Sequence, residues 1–298
     1  MAPTKLTFRP SEPGDVGALV ALYDRHYRGG YSACFDRYGP AAPQDFWWVQ
    51  SEKSCTLVEA NRQAVGMLIL GRSGKRLLAE EVIVDSAVEG SSDLLRQVHV
   101  WLTRRFQQER QDVLTIRGAE TNAVALGVAR VYGFTFADAL VVAAGGSAAA
   151  ADSALASGTD RGGGPPGYHL RRARPPDGRH ITQLHEEALG LPLRGRDLEA
   201  LWARPDVRVV LAEREKFPVG FLIAQVRDGA GRWVVGVRQA HRGKGLGRAL
   251  AGQALQFFHD RRVPSVTTYW GTDAAAVRFV HALGARTERI YLYFERRL

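Results

Sequence analysis

The stretch WVVGVRQAHRGKGLGRALAGQALQFF, Trp233 to Phe258, decides how this chain is read. It opens on an apolar segment (Trp233, Val234, Val235, Val237) and passes through a basic glycine-rich loop (Arg242, Gly243, Lys244, Gly245, Leu246, Gly247). It closes on a segment whose apolar residues recur at Leu246, Ala249, Leu250, Ala254, Phe257 and Phe258. The first pattern predicts a strand and the last a helix. Alternating glycines let the backbone between them turn its N–H groups towards one point without Cβ interference. The helix N-terminus brings unpaired donors and the positive end of its dipole to the same point. Arg242, Lys244 and Arg248 add formal charge there, so the loop is expected to hold phosphate.

Two common phosphate loops do not fit. A Walker loop requires Lys followed by Ser or Thr after its last glycine, where this chain has Arg248 and Ala249. The dinucleotide fingerprint requires G-x-G-x-x-G, whereas these glycines fall as G-x-G-x-G, late in the chain and with Asp260 at a helix end. What remains resembles the acyl-CoA loop of the GNAT superfamily of N-acetyltransferases, Q/R-x-x-G-x-G/A, with Arg242, Gly245 and Gly247 at its specified positions. The resemblance implies that the loop amides from Gly243 to Arg248 bind the pyrophosphate of acetyl-CoA as co-substrate. It also implies that the strand carrying Val235 and Val237 pairs with pantetheine. No metal is implied.

At 298 residues, the chain has room for about two domains. With 45% hydrophobic and 24% charged residues its composition is that of a folded globular protein. No apolar run is long enough to span a membrane, and no export signal opens the sequence, so a cytoplasmic location is expected. Cys34 and Cys55 lack metal or redox spacing and are expected to be reduced. Residues 1–159 hold 16 basic against 17 acidic side chains, and residues 160–298 hold 24 against 14. The positive field therefore lies in the half with the loop. Its arginines are scattered through turns and strand ends, so a small-molecule or peptide amine is the expected partner and nucleic acid is not.

From the N-terminus, a strand over residues 4–9 leads past Pro10 and Pro13 to a helix carrying Val16, Leu19, Val20 and Tyr23. Residues 27–50 are dense in aromatic residues. A hairpin about Asn61, a strand over 77–84, a helix over 92–109, a strand over 113–116, a helix over 122–132 and an extended segment over 134–142 follow. Residues 144–167 form an Ala/Gly/Ser/Pro-rich linker. The pattern then restarts: a strand over 168–172, a helix through Ile181, Leu184 and Leu189, a hairpin around Glu215 and Lys216, the central stretch, a strand over 266–270, a helix over 273–283 and strand material over 286–296.

The halves repeat. FRPSEPGD in the first corresponds to RRARPPD in the second, and TNAVALGVARVYGF to TDAAAVRFVHALGA. The latter pair resembles the family's next motif, matched by Asn122, Ala125, Gly133 and Phe134, then by Ala276, Phe279 and Gly284. The resemblance thus implies an α/β (α+β) fold of two tandem GNAT-like domains, each a mixed, mostly antiparallel sheet flanked by helices, an architecture similar to that of the mycothiol synthases. The expected boundaries are 1–143 for a degenerate copy and 168–298 for the copy with the acyl-CoA loop. In the first copy's VDSAVEGSSDLL, Ala87 replaces the Arg, Ser92 the last Gly, and Glu89 adds negative charge, so one CoA site per chain is expected.

Catalytic groups are harder to place. The second copy has Asp273 where the family has Asn, and Val280 where it has the Tyr that protonates the departing thiolate. Tyr269, at the end of the preceding strand, and His281, about 100° round the helix from Val280, are the candidate replacements. For a base, the central strand of this half has no carboxylate, while the matching strand of the first has Glu80 and Glu81. Strand alternation lets only one of these face a shared cleft, and Glu81 is the candidate. The resemblance implies transfer of an acetyl or other short acyl group from acyl-CoA to an amine. Aminoacyl transfer from charged tRNA and a non-catalytic acyl-CoA-responsive module are the alternatives.

Overall fold

In the computed structural model, Arg9 and Arg171 each occupy the end of a strand and hold the same two partners, which shows how the chain is built twice. Arg9 forks onto Asp15 (2.7 and 2.8 Å) and reaches Glu59 at 3.1 Å. Arg171 forks onto Asp177 (2.7 and 2.8 Å) and Glu213 at 2.7 Å. Each aspartate also accepts a backbone N–H three residues back, from Glu12 and from Arg174, and so closes the 3₁₀ turn that starts the first helix. The structure describes residues 5–27, 34, 40–85, 92–145, 164–189, 198, 201–202, 204–227 and 229–297. The substitutions expected at Ala87 and Glu89, and most of the linker, lie outside them.

The chain divides into two compact units, Met1–Val141 with Trp270–Thr272 and Arg289–Leu298, and Val142–Tyr269 with Asp273–Glu288. The first contains β1 (Leu6–Pro10), α1 (Val16–Tyr27), α2 (Pro43–Glu52), β2 (Ser54–Ala60), β3 (Gln63–Ser73), β4 (Arg76–Val84), α3 (Ser92–Glu109), β5 (Val113–Ala119), α4 (Ala123–Val131) and most of β6 (Thr135–Gly145). Its sheet also takes in the last strand, β12 (Arg286–Arg297), in the order β1-β2-β3-β4-β5-β12-β6. β12 runs antiparallel to β5 from Tyr291 opposite Ala119 to Arg297 opposite Val113. Residues 289–298, expected in the second domain, therefore lie in the first unit, where Tyr291 is fully buried.

The second unit contains β7 (His169–Arg172), α5 (Gly178–Leu189), β8 (Val207–Arg214), β9 (Phe217–Arg227), β10 (Ala230–Val237), α6 (Leu246–His259), most of β11 (Ser265–Trp270) and α7 (Ala274–Ala282), with strand order β11-β10-β9-β8-β7. In both units hairpins make the sheet antiparallel, except where a helix crosses between strands. β4 and β5 run parallel, as do β10 and β11. In each unit one core cluster lies between the sheet and that crossover helix, and in the second unit another, with Ile181, Leu184, Leu211 and Phe221, lies under α5 on the opposite face. Leu94, Val98, Leu102 and Phe106 of α3 meet Leu77, Ala79, Val82 and Val84 of β4. Leu246, Leu250, Ala254, Phe257 and Phe258 of α6 meet Val237, with Trp233 and Val235 packed alongside. Each fully buried large apolar side chain contributes about 1.5 to 3 kcal/mol.

Parallel pairing is brief in both units. β4 and β5 pair only from Arg76 opposite Val113 to Ala79 opposite Ile116, and β10 and β11 only at Gly231 and Arg232 opposite Ser265 and Val266. Beyond these points the strands separate, leaving the later residues of β4 and β10 paired on one side only.

Candidate functional site

Val237 ends β10, and the chain then makes a 3₁₀ turn, Gln239–His241, before the glycine loop. The loop is anchored by its own side chains. Arg242 Nε donates to the Val237 carbonyl at 2.9 Å and Nη2 to the Ala188 carbonyl of α5 at 3.4 Å. Lys244 Nζ donates to the Ala240 carbonyl at 3.1 Å, and the Tyr168 hydroxyl lies 3.0 Å from His241 Nδ1. Partial burial and the charges of Lys244, Arg214 and Arg238 push the His241 pKa down.

Gly243 and Gly245 have φ of +75° and +81°, backbone that favours glycine. Gly245 is the N-cap of α6 and has no side chain to satisfy the first-turn donors. Among the described residues, no acceptor pairs with the N–H groups from Gly243 to Arg248, and the first helical bond runs from Ala249 N–H to the Gly245 carbonyl. Leu246 is buried and pins the helix start, whereas Lys244, Gly245 and Arg248 are exposed. The third glycine serves a different end. A Cβ on Gly247 would lie 3.3 Å from the Phe279 ring, so its absence lets α6 approach α7. Free amides, a helix N-terminus and surrounding cations form an anion cradle.

The separated strands lie beside this cradle. Val235 pairs with Leu222 and Val237 with Gly220 of β9, and neither pairs with β11. By sheet register, the first unit's counterpart of Val235 is Val82, opposite Leu68. There the exposed strand edge is occupied by the chain itself. Asn122 Nδ2 donates to the Val82 carbonyl at 2.9 Å, and Arg117 Nε to the Glu80 carbonyl at 3.0 Å. Asp273 replaces Asn122 in the second unit. Its carboxylate caps α7 by accepting from Ala275 N–H (2.9 Å) and Ala276 N–H (3.1 Å), and it has no N–H to offer the strand.

The catalytic candidates fall in different surroundings. Tyr269 is buried in β11 at 8% exposure, and strand alternation puts it on the face of Ser265 and Thr267, whose hydroxyls accept from Trp233 Nε1 (3.0 Å) and donate to the Trp233 carbonyl (3.5 Å). Val280 is buried and His281 exposed in the last turn of α7, as the helical rotation predicts.

Glu81 lies in the first unit at 2% exposure, within a buried ionic cluster. The Tyr27 hydroxyl donates to its Oε2 at 2.5 Å, and Arg117 Nη2 lies 3.6 Å from its Oε1. Lys53 Nζ bonds Glu80 Oε2 at 2.5 Å, and Arg117 lies 3.5 Å from the same oxygen. Burial pushes the Glu81 pKa up to about 7 against the pull of Arg117.

The expectation that only one of Glu80 and Glu81 faces a given side is overturned. Ile69 pairs with Glu81 and Leu70 with Ala79, so Glu80 is an extra residue in a β-bulge, and both carboxylates turn to Arg117. Gly71 makes the space, since a Cβ there would sit 2.2 Å from Glu80 Oε1. Residue types alone did not flag Tyr27, Lys53 or Arg117. Among the described residues, no group of three His, Cys, Asp or Glu side chains is placed to hold a metal.

Residues 177–285 match the acetyltransferase (GNAT) family model. No curated protein matches the chain in sequence. Among solved structures, the GCN5-related N-acetyltransferase of Sphaerobacter thermophilus superposes with a TM-score of 0.75 at 18% identity, covering 98% of this chain and 95% of its own. A tandem GNAT protein from the clavulanic acid biosynthesis pathway, solved without acetyl-CoA, gives 0.69 at 16% identity over 98% of both chains. A GNAT-family acetyltransferase from Colwellia psychrerythraea gives 0.61 at 11%, over 97% and 99%. The fold is thus the GNAT fold in tandem.

Proposed function

Because residues 177–285 match the acetyltransferase (GNAT) family model, we propose that this protein moves an acetyl or other short acyl group from acyl-CoA to an amine, with acyl-CoA held by the second unit. The observation that carries this reading is the run of unpaired amides from Gly243 to Arg248 at the N-terminus of α6, beside a strand edge left open at Val235 and Val237. The amides and helix dipole take the pyrophosphate, and Lys244 and Arg248 complement its charge. Arg242 acts chiefly by fixing the loop to Val237 and α5. The freed backbone of β10 supplies hydrogen bonds for pantetheine and a donor for the oxyanion that forms when the amine attacks the thioester carbonyl. Asp273 holds the start of α7.

A thiol with a pKa near 8.5 leaves readily near neutral pH, so a dedicated acid is a modest requirement. Of the two candidates, Tyr269 is enclosed on the face of β11 that carries Ser265 and Thr267, while His281 faces solvent; Tyr269 is the proton donor we favour. The test is thiol release from acetyl-CoA across a panel of amines, aminoglycosides, amino acids and peptides. Amine-dependent release that Gly245→Val abolishes supports the reading; release from no member of the panel counts against it.

A further inference from the structure

On the α6 side of the second unit, β7, β8 and α6 enclose a cavity of about 180 Å3 lined by Leu170, Arg171, Arg172, Arg208, Val210 and Gln253. Its arginines are not equivalent. Arg171 is taken up by Asp177 and Glu213. Arg208 is half-buried, with its guanidinium carbon 4.7 Å from the centre of the Phe257 ring, and among the described residues neither it nor Arg172 has a hydrogen-bond acceptor for its side chain. Arg261 stacks on the same ring at 3.8 Å but donates to the Pro205 carbonyl at 3.0 Å. Burial of Arg208, with the charges of Arg261 and Arg172 against it, outweighs the attraction of Asp260 and lowers its pKa. Arg208 thus holds its charge in a half-buried place with no hydrogen-bond acceptor among the described residues.

The fold itself does not require these cations. The first unit repeats the scaffold ion pairs as Arg9 with Asp15 and Glu59, yet it has Pro10 where register puts Arg172 and Ser54 where it puts Arg208. Nor does the cavity belong to the glycine loop. Arg208 lies opposite Ala224, which lies opposite Trp233, so it is level with a residue four positions before Val237, about 13 Å along the strand. Pockets for whole organic ligands run to about 300–1,000 Å3, so this one admits a terminal group.

We propose that Arg172 and Arg208 form a second anion site, for the tetrahedral oxyanion of inorganic phosphate or of a phosphate monoester. Two guanidinium forks match such a group in charge and in donor geometry, and the ring of Phe257 fixes one of them before binding. Leu170 and Val210 supply an apolar wall that strengthens the charge interaction.

The experiment is a calorimetric titration of the full chain, in excess CoA, with inorganic phosphate, O-phosphoserine and acetate. Phosphate should bind and acetate should bind more weakly. Phosphoserine binding more tightly than phosphate identifies a monoester, and the reverse identifies the free ion. Arg208→Gln and Arg172→Gln should each weaken phosphate about tenfold to a hundredfold, the loss expected for one charge-assisted contact. Arg208→Lys, which keeps charge without the fork, should fall between. Gly245→Val should retain the site. Equal phosphate binding by the wild type and both glutamine variants, with far-ultraviolet circular dichroism unchanged, would overturn the proposal, as would no phosphate binding by the wild type.

Discussion

Gly245 holds φ at +81°, so a β-branched side chain there strains the backbone by about 1 to 3 kcal/mol or reshapes the loop. Gly245→Val should therefore abolish CoA binding while the unit still folds. Arg242→Ala should weaken CoA by about 1.5 to 3 kcal/mol, mainly through loss of the loop's anchor to Val237, so that the loop becomes more susceptible to proteolysis as affinity falls. The glycines were legible from spacing, but the work of Arg242 was not, because its acceptors are backbone carbonyls of β10 and α5. Glu81 titrates from about 7 when folded and about 4.5 ordinarily, so the folded chain binds more protons between these values. Stability should fall as pH rises from about 4.5 to 7, by on the order of 1 to 3 kcal/mol, and Glu81→Gln should flatten that slope in a series of denaturation midpoints. Asp15 and Asp177, held low by Arg9 and Arg171, act oppositely: their contribution is present above the usual carboxylate range and is lost as pH falls below it towards their lowered folded values.

Between elements, one atom separates the two halves. Asn122 caps its helix with Oδ1 and bonds the Val82 carbonyl with Nδ2, whereas Asp273 can only cap. Asn122→Asp should cost the protein about 2 to 4 kcal/mol, since it removes a buried donor and buries a charge; a midpoint shift in urea measures it. Hairpin turns repeat as well: Asn61 and Arg62 have φ of 51° and 64°, Glu215 and Lys216 of 53° and 67°. Lys216→Gly should stabilise by roughly 0.5 to 1 kcal/mol, because the turn demands a conformation that glycine adopts freely. Most elements could be read from apolar periodicity. α2 could not, for Trp47 and Trp48 are exposed and only Phe46 and Val49 are buried, which blurs the helical pattern. The bulge at Glu80 was also hidden, since it arises from pairing with Ile69 and Leu70 across the sheet.

At the scale of the whole molecule, the repeat was legible but the last strand's allegiance was not. Its pattern predicts a strand without naming a neighbour, and the choice of β5 is made by long-range pairing. No helix among the described residues is long and apolar enough to cross a membrane. The same splayed strands occur twice, yet the first unit fills its own with Asn122 and Arg117 while the second leaves the edge beside its free amides open. One acyl-CoA site per chain, formed by the loop from Arg242 to Arg248, is therefore expected. Calorimetric titration of the full chain with CoA tests it directly. The expected result is one site per chain, lost in Gly245→Val and retained in Asn122→Asp; two equivalent sites, or unchanged affinity in Gly245→Val, would overturn it.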